Sequence, residues 1–160
     1  MTKTRTKSSR TILFPVDFSP SSERALLHVA ELYSGDAELI VLHIDTPGSN
    51  DRGTLLKEHL HQFSRYSDLL SDYGCKVRFA VEYGSPAEAI ISYARTQKSD
   101  MIVLGSHGTS NILRLLVGST TETVMRHAPC PVLVLKSPET VEAESPALFE
   151  NIEALSNSND

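Results

Sequence analysis

Residues 12–34, ILFPVDFSPSSERALLHVAELYS, change from one hydrophobic pattern to another within a single short stretch. Residues 12–16 form an apolar run without alternation, which is typical of a strand covered on both faces. Ser19 and Pro20 then supply a capping side chain and a proline suited to the first helical position. Apolar residues follow at helical spacing and end before Gly35: Leu26, Val29, Ala30 and Tyr33. The stretch predicts a buried strand followed directly by an amphipathic helix that runs to about Ser34.

The same alternation recurs along the rest of the chain. Apolar runs predict further strands at 39–44, 75–82, 101–104 and 132–135. Helical patterns separate them, at about 56–73, 86–94 and 120–127, and capping boxes at 85–88 and 119–122 open the last two. Strand 75–82 alternates apolar with charged residues, as a half-exposed edge strand does. Strands and helices that alternate over short connections predict an α/β fold, an open doubly wound five-stranded parallel sheet with helices on both faces.

Composition and charge divide the chain into three parts. The 160 residues are 40% apolar, which suits one domain with its own core. Residues 1–10 hold four basic side chains and no acidic one, whereas residues 137–160 hold six acidic side chains and no basic one. We therefore predict a basic N-terminal arm at 1–10, a folded domain at 11–136 and an acidic C-terminal tail at 137–160.

Several classes of protein are excluded by what the chain lacks. It has no apolar run of the roughly 18 residues that a membrane span needs, and no apolar export segment, so a cytoplasmic protein is predicted. It has no concentrated basic face for a nucleic acid. Its two cysteines, Cys75 and Cys130, are too few for a disulfide framework or a multi-cysteine zinc site, and both are predicted to be inert packed thiols.

Glycines after the fourth predicted strand give the strongest functional signal. Gly105 and Gly108 follow the strand, and Gly118 and Ser119 open the last helix, in the pattern G-x2-G-x9-G-[S/T]. Glycine lets backbone approach a ligand closely, and free amides at a helix N-terminus suit phosphate oxygens. In the alternative interpretation these glycines only make tight turns and Ser119 only caps its helix. If the first and fourth strands are neighbours, Asp17 faces the glycines across the crevice where strand order reverses.

Five segments together resemble the ATP-binding branch of the universal stress protein family. They are residues 15–19 (PVDFS), 42–44 (LHI), 105–108 (GSHG), 118–119 (GS) and 129–134 (PCPVLV). The resemblance covers about residues 10–136 and implies a sheet in the order 3-2-1-4-5. It also implies a homodimer and a bound ATP or ADP, with Mg2+ or Mn2+ held mainly by the phosphates.

The resemblance also implies a role for each matching residue. Asp17 would bind the ribose, Pro15, Val16 and Ile44 would surround the adenine, and Leu104 would border the nucleotide. The phosphates would be held by Gly105, His107, Gly108, Gly118, Ser119 and Thr120. No catalytic side chain and no metal-ligating side chain is predicted. The family's other branch does not bind ATP and lacks the glycine pattern, which is intact here.

The histidines are interpreted in different ways. His59 and His61 lie two positions apart on a helix and point away from each other, so they are poor metal partners and are predicted at the surface. His43 lies in a buried strand and is predicted to be a hydrogen-bonded core residue. His107 lies between two glycines, and the sequence leaves open whether it contacts the ligand or is an exposed loop residue.

Two functional classes remain. One is a nucleotide-responsive regulatory or stress-survival protein, and the other is a slow ATPase or nucleotidyl-transfer enzyme of the same architecture. Phosphoryl transfer requires positive groups around the phosphates and a positioned nucleophile, and the chain offers only Arg114 between the glycines. It contains neither a G-x-S-x-G elbow nor a P-loop. Binding is therefore favoured over catalysis.

The last predicted strand indicates an assembly. Residues 132–135 are wholly apolar, and in the implied strand order they form an edge that must be covered or paired. Pairing with a second copy across a two-fold axis gives the predicted homodimer. The alternative cover is the C-terminal segment, whose apolar residues are Leu148, Phe149, Ile152 and Leu155.

Overall fold

A computed structural model of the chain describes residues 9–35, 37–45, 52–105 and 118–135. Its strands are β1 (Arg10–Val16), β2 (Ala37–Asp45), β3 (Lys76–Tyr83), β4 (Met101–Gly105) and β5 (Val132–Leu135). Its helices are α1 (Pro20–Leu32), α2 (Arg52–Leu70), α3 (Pro86–Gln97) and α4 (Ser119–His127), and a 3-10 turn at Ser71–Tyr73 follows α2. The predicted basic arm, apart from residues 9 and 10, and the predicted acidic tail lie outside the described residues.

The five strands form one parallel sheet in the order β3-β2-β1-β4-β5. The chain therefore starts in the middle of the sheet, builds outward to β3, and then crosses to β4 on the other side of β1. The predicted fold class and strand order are confirmed. The order reverses between β1 and β4, which are hydrogen-bonded neighbours.

Alternate strand residues point to opposite faces and create two cores. On the face covered by α1 and α2, Ile12, Phe14 and Val16 of β1 lie buried against both helices. On the face covered by α3 and α4, Leu13 lies buried with residues of those helices, including Ile90 and Val124. We call these the α1/α2 face and the α3/α4 face. A strand residue therefore contributes to one face only, and its neighbour in sequence contributes to the other.

The start of α1 agrees with the prediction, but the two capping boxes do not form. The Oγ of Ser19 accepts a hydrogen bond from the backbone N–H of Ser22 at 3.1 Å and caps α1. Ser85 is the N-cap of α3, but its side chain makes no capping hydrogen bond. Ser119 is the first residue inside α4, and Gly118 is the N-cap. A residue already in the helix cannot cap it, so Ser119 was wrongly predicted as a cap.

The two edge strands differ in polarity. In β3, Lys76 and Arg78 are exposed while Val77 and Phe79 are partly buried, which confirms a half-exposed edge strand. In β5 all four residues are apolar and partly buried. Each edge thus has the character that its sequence pattern predicts.

The two thiols pack against opposite cores. Cys75 contacts the core of the α1/α2 face, and Cys130 contacts that of the α3/α4 face. Burial raises the pKa of both thiols, which keeps them protonated and unreactive at neutral pH.

Candidate functional site

The carboxyl ends of the strands form the edge of the sheet at which the site residues were predicted. Because all strands are parallel, Val16, Asp45 and Gly105 end β1, β2 and β4 at this same edge. The helix α4 leads to the amino end of β5, so its own N-terminus starts from the carboxyl edge as well. In an open α/β sheet the ligand crevice lies here, beside the point where strand order reverses.

Two residues connect β1 to α1 across this edge. Asp17 is exposed, and its Oδ1 accepts a hydrogen bond from the backbone N–H of Ser19 at 3.0 Å. Phe18 has a φ of 60°, which is rare for a bulky residue. Its ring holds it there by packing on His43, with ring centroids 4.3 Å apart, and on Phe63 at 5.5 Å. The turn thus directs Phe18 into the α1/α2 face and leaves Asp17 at the rim.

Three of the four residues predicted to surround the adenine or to border the nucleotide share the α3/α4 face. Leu104 is buried and Ile44 partly buried in the core of that face. Pro15 lies two residues beyond Leu13 on the same strand and therefore points the same way. Val16 does not join them, because its side chain is buried in the core of the α1/α2 face. Only the backbone of Val16 is left for a ligand on the α3/α4 face.

No side chain among the described residues caps the N-terminus of α4. The first hydrogen bond within the helix runs from the N–H of Glu122 to the carbonyl of Gly118 at 3.0 Å. The N–H groups of Ser119, Thr120 and Thr121 precede it and have no partner within the helix. Ser119 is exposed and Thr120 partly exposed. This helix start therefore presents amides that are unpaired among the described residues, together with the positive end of a helix dipole.

Glycine at position 118 is not required by the backbone. Its φ of −58° and ψ of 156° are accessible to any residue. An unusual backbone conformation therefore does not explain why position 118 is a glycine. A Cβ added there would meet nothing within 4 Å among the described residues. At Gly105 a Cβ would touch the Cβ of Ala25 at 3.5 Å, an ordinary contact. The predicted phosphate contacts His107 and Gly108, like Arg114, lie outside the described residues.

A cluster that sequence reasoning missed occupies the α1/α2 face of the same edge. His43, partly buried, places its Nδ1 3.0 Å from the carbonyl oxygen of Val16, as predicted for a hydrogen-bonded core histidine. Burial lowers the pKa of His43, partly offset by this hydrogen bond and by nearby carboxylates. The ring of His59 lies 4.9 Å from that of His43, between centroids, and His59 is only 6% exposed.

The surface prediction for His59 is therefore wrong. His59 lies four residues before Phe63 and seven before Tyr66, so it belongs to the apolar stripe by which α2 packs on the sheet. That spacing was the available signal. His61 is exposed, as predicted.

Comparisons with known proteins agree on the family. The universal stress protein family model matches residues 8–136. Universal stress protein MJ0577 of Methanocaldococcus jannaschii is 32% identical over 151 residues, which cover 78% of this chain and 93% of that protein. The solved structure of MJ0577 superposes with a TM-score of 0.67 and covers 80% of this chain and 96% of that one.

Two further solved structures share the fold and contain ligands. A universal stress protein in complex with cAMP is 24% identical, with a TM-score of 0.67, and the match covers 81% of this chain and 99% of that one. A family protein of Arabidopsis thaliana with AMP bound is 18% identical, with a TM-score of 0.61, and the match covers 87% and 97% of the two chains. In the part of the chain that the structure describes, no helix is long and apolar enough to span a bilayer. From the family match and the similarity to MJ0577, this chain belongs to the universal stress protein family.

Proposed function

We propose that the protein binds ATP or ADP at the carboxyl edge of the sheet, on the α3/α4 face, and acts as a nucleotide-responsive regulator of stress survival. The observation that carries the proposal is the uncapped start of α4, next to a glycine that neither packing nor backbone conformation requires among the described residues. A group that needs close approach to the amides explains both features, and phosphate is the usual one. The cAMP and AMP held by two proteins of this fold support an adenine nucleotide.

The proposed pose follows from the two ends of this crevice. The phosphates lie at Gly118, Ser119 and Thr120, with Gly105 behind them and with His107 and Gly108 completing the loop. Leu104, Ile44 and Pro15, together with the backbone of Val16, border the nucleoside, and the Asp17 carboxylate binds the ribose hydroxyls. Mg2+, or Mn2+ in its place, would be held mainly by phosphate oxygens and water, as is usual for nucleotide-bound magnesium.

The direct test measures affinity and turnover on the same sample. Purified protein should bind ATP and ADP with Mg2+ at one site per chain in calorimetry, and GTP, which presents a different base edge, should bind at least about tenfold more weakly. Adenine nucleotide should also be found in protein purified without added ligand. A protein that binds neither ATP nor ADP contradicts the proposal. Single-turnover hydrolysis separates a regulator from a slow ATPase, since only the enzyme converts the bound ATP within the assay.

We also propose a homodimer that pairs β5 with its copy in a second chain. The apolar side chains of β5 contrast with the charged edge formed by β3, and an apolar open edge is an aggregation hazard unless it is paired. The Ile102 N–H donates to the Pro131 carbonyl, and Ile102 pairs with Val132. Since alternate residues of a parallel strand bond to the same neighbour, Leu133 directs its N–H toward β4 and Val134 directs its N–H toward the open edge.

The opposite directions of the Leu133 and Val134 N–H groups allow a matched pair of proline variants. In light scattering the intact protein should have twice the chain mass of 17.6 kDa. Val134→Pro removes a donor at the open edge and should give monomers or aggregates of folded chains. Leu133→Pro removes a donor to β4 and should unfold the protein instead. Deletion of residues 138–160 should leave the dimer intact, whereas a monomeric intact protein that becomes insoluble on this deletion would identify the tail as the cover.

A further inference from the structure

Three side chains with metal-binding atoms meet on the α1/α2 face of the carboxyl edge. One ligand atom from each of His43, Asp45 and His59 lies within 4.8 Å of the other two. His43 and Asp45 are two residues apart on β2 and therefore point to the same face, while His59 approaches from α2. We propose that these three residues bind a divalent transition-metal ion, with zinc as the ion that fits the ligand set best.

The hydrogen bond of His43 fixes the form of its ring that a metal requires. The carbonyl oxygen of Val16 can only accept, so the His43 Nδ1 at 3.0 Å carries the proton and donates it. The Nε2 of the neutral ring is then left with its lone pair. Metal-ligating histidines characteristically donate their second ring N–H to a backbone carbonyl or a carboxylate, which orients the ring. His43 has this arrangement.

The cluster combines two imidazoles packed on an aromatic ring with one carboxylate. His59 is 6% exposed, and the Phe18 ring lies against both imidazoles, with centroids 4.3 Å from His43 and 6.2 Å from His59. The carboxylate of Asp45 offsets one charge of a divalent ion. The cluster is therefore suited to a cation held by two neutral ligands and one anionic ligand.

Ligand chemistry selects zinc over the harder cations. Mg2+ and Ca2+ prefer sets made of oxygen, whereas imidazole nitrogen suits zinc and its neighbours in the first transition series. Three protein ligands leave a fourth, water-filled position in a tetrahedral site. Zinc bonds of about 2.0–2.1 Å place tetrahedral ligand atoms about 3.4 Å apart, so side-chain rotations must draw the cluster together. A groove of about 480 Å³ between α2 and β3 is lined in part by His59, Phe63 and Val81, so it reaches one of the three proposed ligands from solvent.

This site differs from the one proposed for the nucleotide. Ile44, between His43 and Asp45 in sequence, packs in the core of the α3/α4 face, so the sheet itself separates the two sites. The metal proposal therefore needs no bound nucleotide, and a failure of either proposal leaves the other standing.

The test uses a histidine pair on one helix. Zinc is titrated into the full-length, tag-free and nucleotide-free protein in competition with a chromophoric chelator, and cobalt is used as a spectroscopic substitute. The wild-type chain and His61→Ala should bind one zinc per chain with equal affinity, because His61 is exposed and outside the cluster. His59→Ala should bind at least about tenfold more weakly, since it removes one of three ligands. The intense visible bands of tetrahedral cobalt should disappear with it.

A second variant guards against loss of fold in His59→Ala. Asp45→Asn keeps the shape of a partly exposed side chain and removes the anionic ligand. Zinc should raise the Tm of the wild-type protein and of His61→Ala, but raise that of Asp45→Asn markedly less. The proposal is overturned if the wild-type chain binds no zinc at one equivalent, if His61→Ala loses as much affinity as His59→Ala, or if folded Asp45→Asn binds as the wild type does.

Discussion

The two faces of the sheet are built differently at the same carboxyl edge. On the α1/α2 face, the rings of Phe18, His43 and His59 pack against one another in tilted arrangements. On the α3/α4 face, the described residues are aliphatic side chains of the strand ends and the free amides of α4, with no side-chain cap over Gly118. The strands β1 and β2 supply both arrangements, because neighbouring residues on each strand point in opposite directions.

This contrast separates two ways of making a site. A site that relies on backbone amides depends on what is missing, namely a capping side chain and a Cβ at residue 118. A cluster that relies on side chains depends on a few residues whose rotamers are locked by packing. Binding at the backbone amides should be weakened by any added side chain. Binding at the side-chain cluster should be weakened by truncation of one of its side chains. Substitutions on each face should therefore change one kind of binding and leave the other unchanged.

The largest effect is expected from adding a side chain to the α4 start. Gly118→Val should weaken ATP binding by at least about 100-fold, because a branched side chain blocks approach to amides that bind a charged group. Stability should change by less than about 1 kcal/mol, since the φ of −58° is ordinary and the described residues leave room for a Cβ. Zinc affinity should not change. Calorimetry with each ligand and urea unfolding measure the three quantities.

Gly35→Val is the matched control for this variant. Gly35 has a φ of 80°, which a branched residue adopts only under strain, and it precedes β2 at the opposite edge of the sheet. This variant should lose stability and keep its ATP affinity. Unchanged ATP affinity in folded Gly118→Val would show that no phosphate lies at this helix start.

A smaller effect is expected at the rim between the two faces. Asp17→Ala should weaken ATP binding by about tenfold to a hundredfold, the usual consequence of losing roughly 1.5–3 kcal/mol in a hydrogen bond to a charged group. The wild-type protein should prefer ATP over 2′-deoxy-ATP, and the variant should lose that preference if the carboxylate binds the 2′-hydroxyl. Because the carboxylate also accepts from the Ser19 N–H, a Tm measurement must accompany the comparison. Intact binding with abolished hydrolysis would instead make Asp17 a residue of an enzyme.

The sequence predicts elements that depend on neighbouring residues better than it predicts features that depend on the assembled fold. Strands 12–16 and 101–104 and the start of α1 were predictable because apolar runs and the Ser19-Pro20 pair act locally. The placement of Asp17 and of the α4 start at the same edge of the sheet follows from the topology once the strand order is known. Two wrong predictions concern a helix boundary and a residue that belongs to two patterns. Ser119 has the spacing of a cap, but α4 begins one residue earlier, and helix boundaries are the least sharply encoded feature of a sequence. His59 is buried because of the apolar stripe it shares with Phe63, which its spacing from His61 does not reveal.

The smallest change in stability at neutral pH is expected from a substitution within the α1/α2 face. This substitution tests whether dense side-chain packing leaves a polar atom without a hydrogen-bond partner. Tyr66 is buried, and among the described residues its hydroxyl has no hydrogen-bond partner. Tyr66→Phe should therefore change the free energy of unfolding by no more than about 1 kcal/mol at pH 8, because no bond is lost. Destabilisation well beyond that value would show that the hydroxyl has a partner.

Alkaline pH should enlarge the difference between Tyr66→Phe and the wild type. Burial, followed by the nearby carboxylates of Glu23 and Asp17, raises the pKa of Tyr66 to about 12. A phenol in the unfolded chain ionises near pH 10, so the raised pKa costs the wild type nothing below pH 10 and destabilises it progressively from pH 10 to 12. At pH 11 the wild type should lose about 1.4 kcal/mol more than Tyr66→Phe does, relative to pH 8. Urea unfolding of both proteins at the two pH values measures this difference, and equal losses would mean that the Tyr66 hydroxyl is as well solvated in the folded protein as in the unfolded chain.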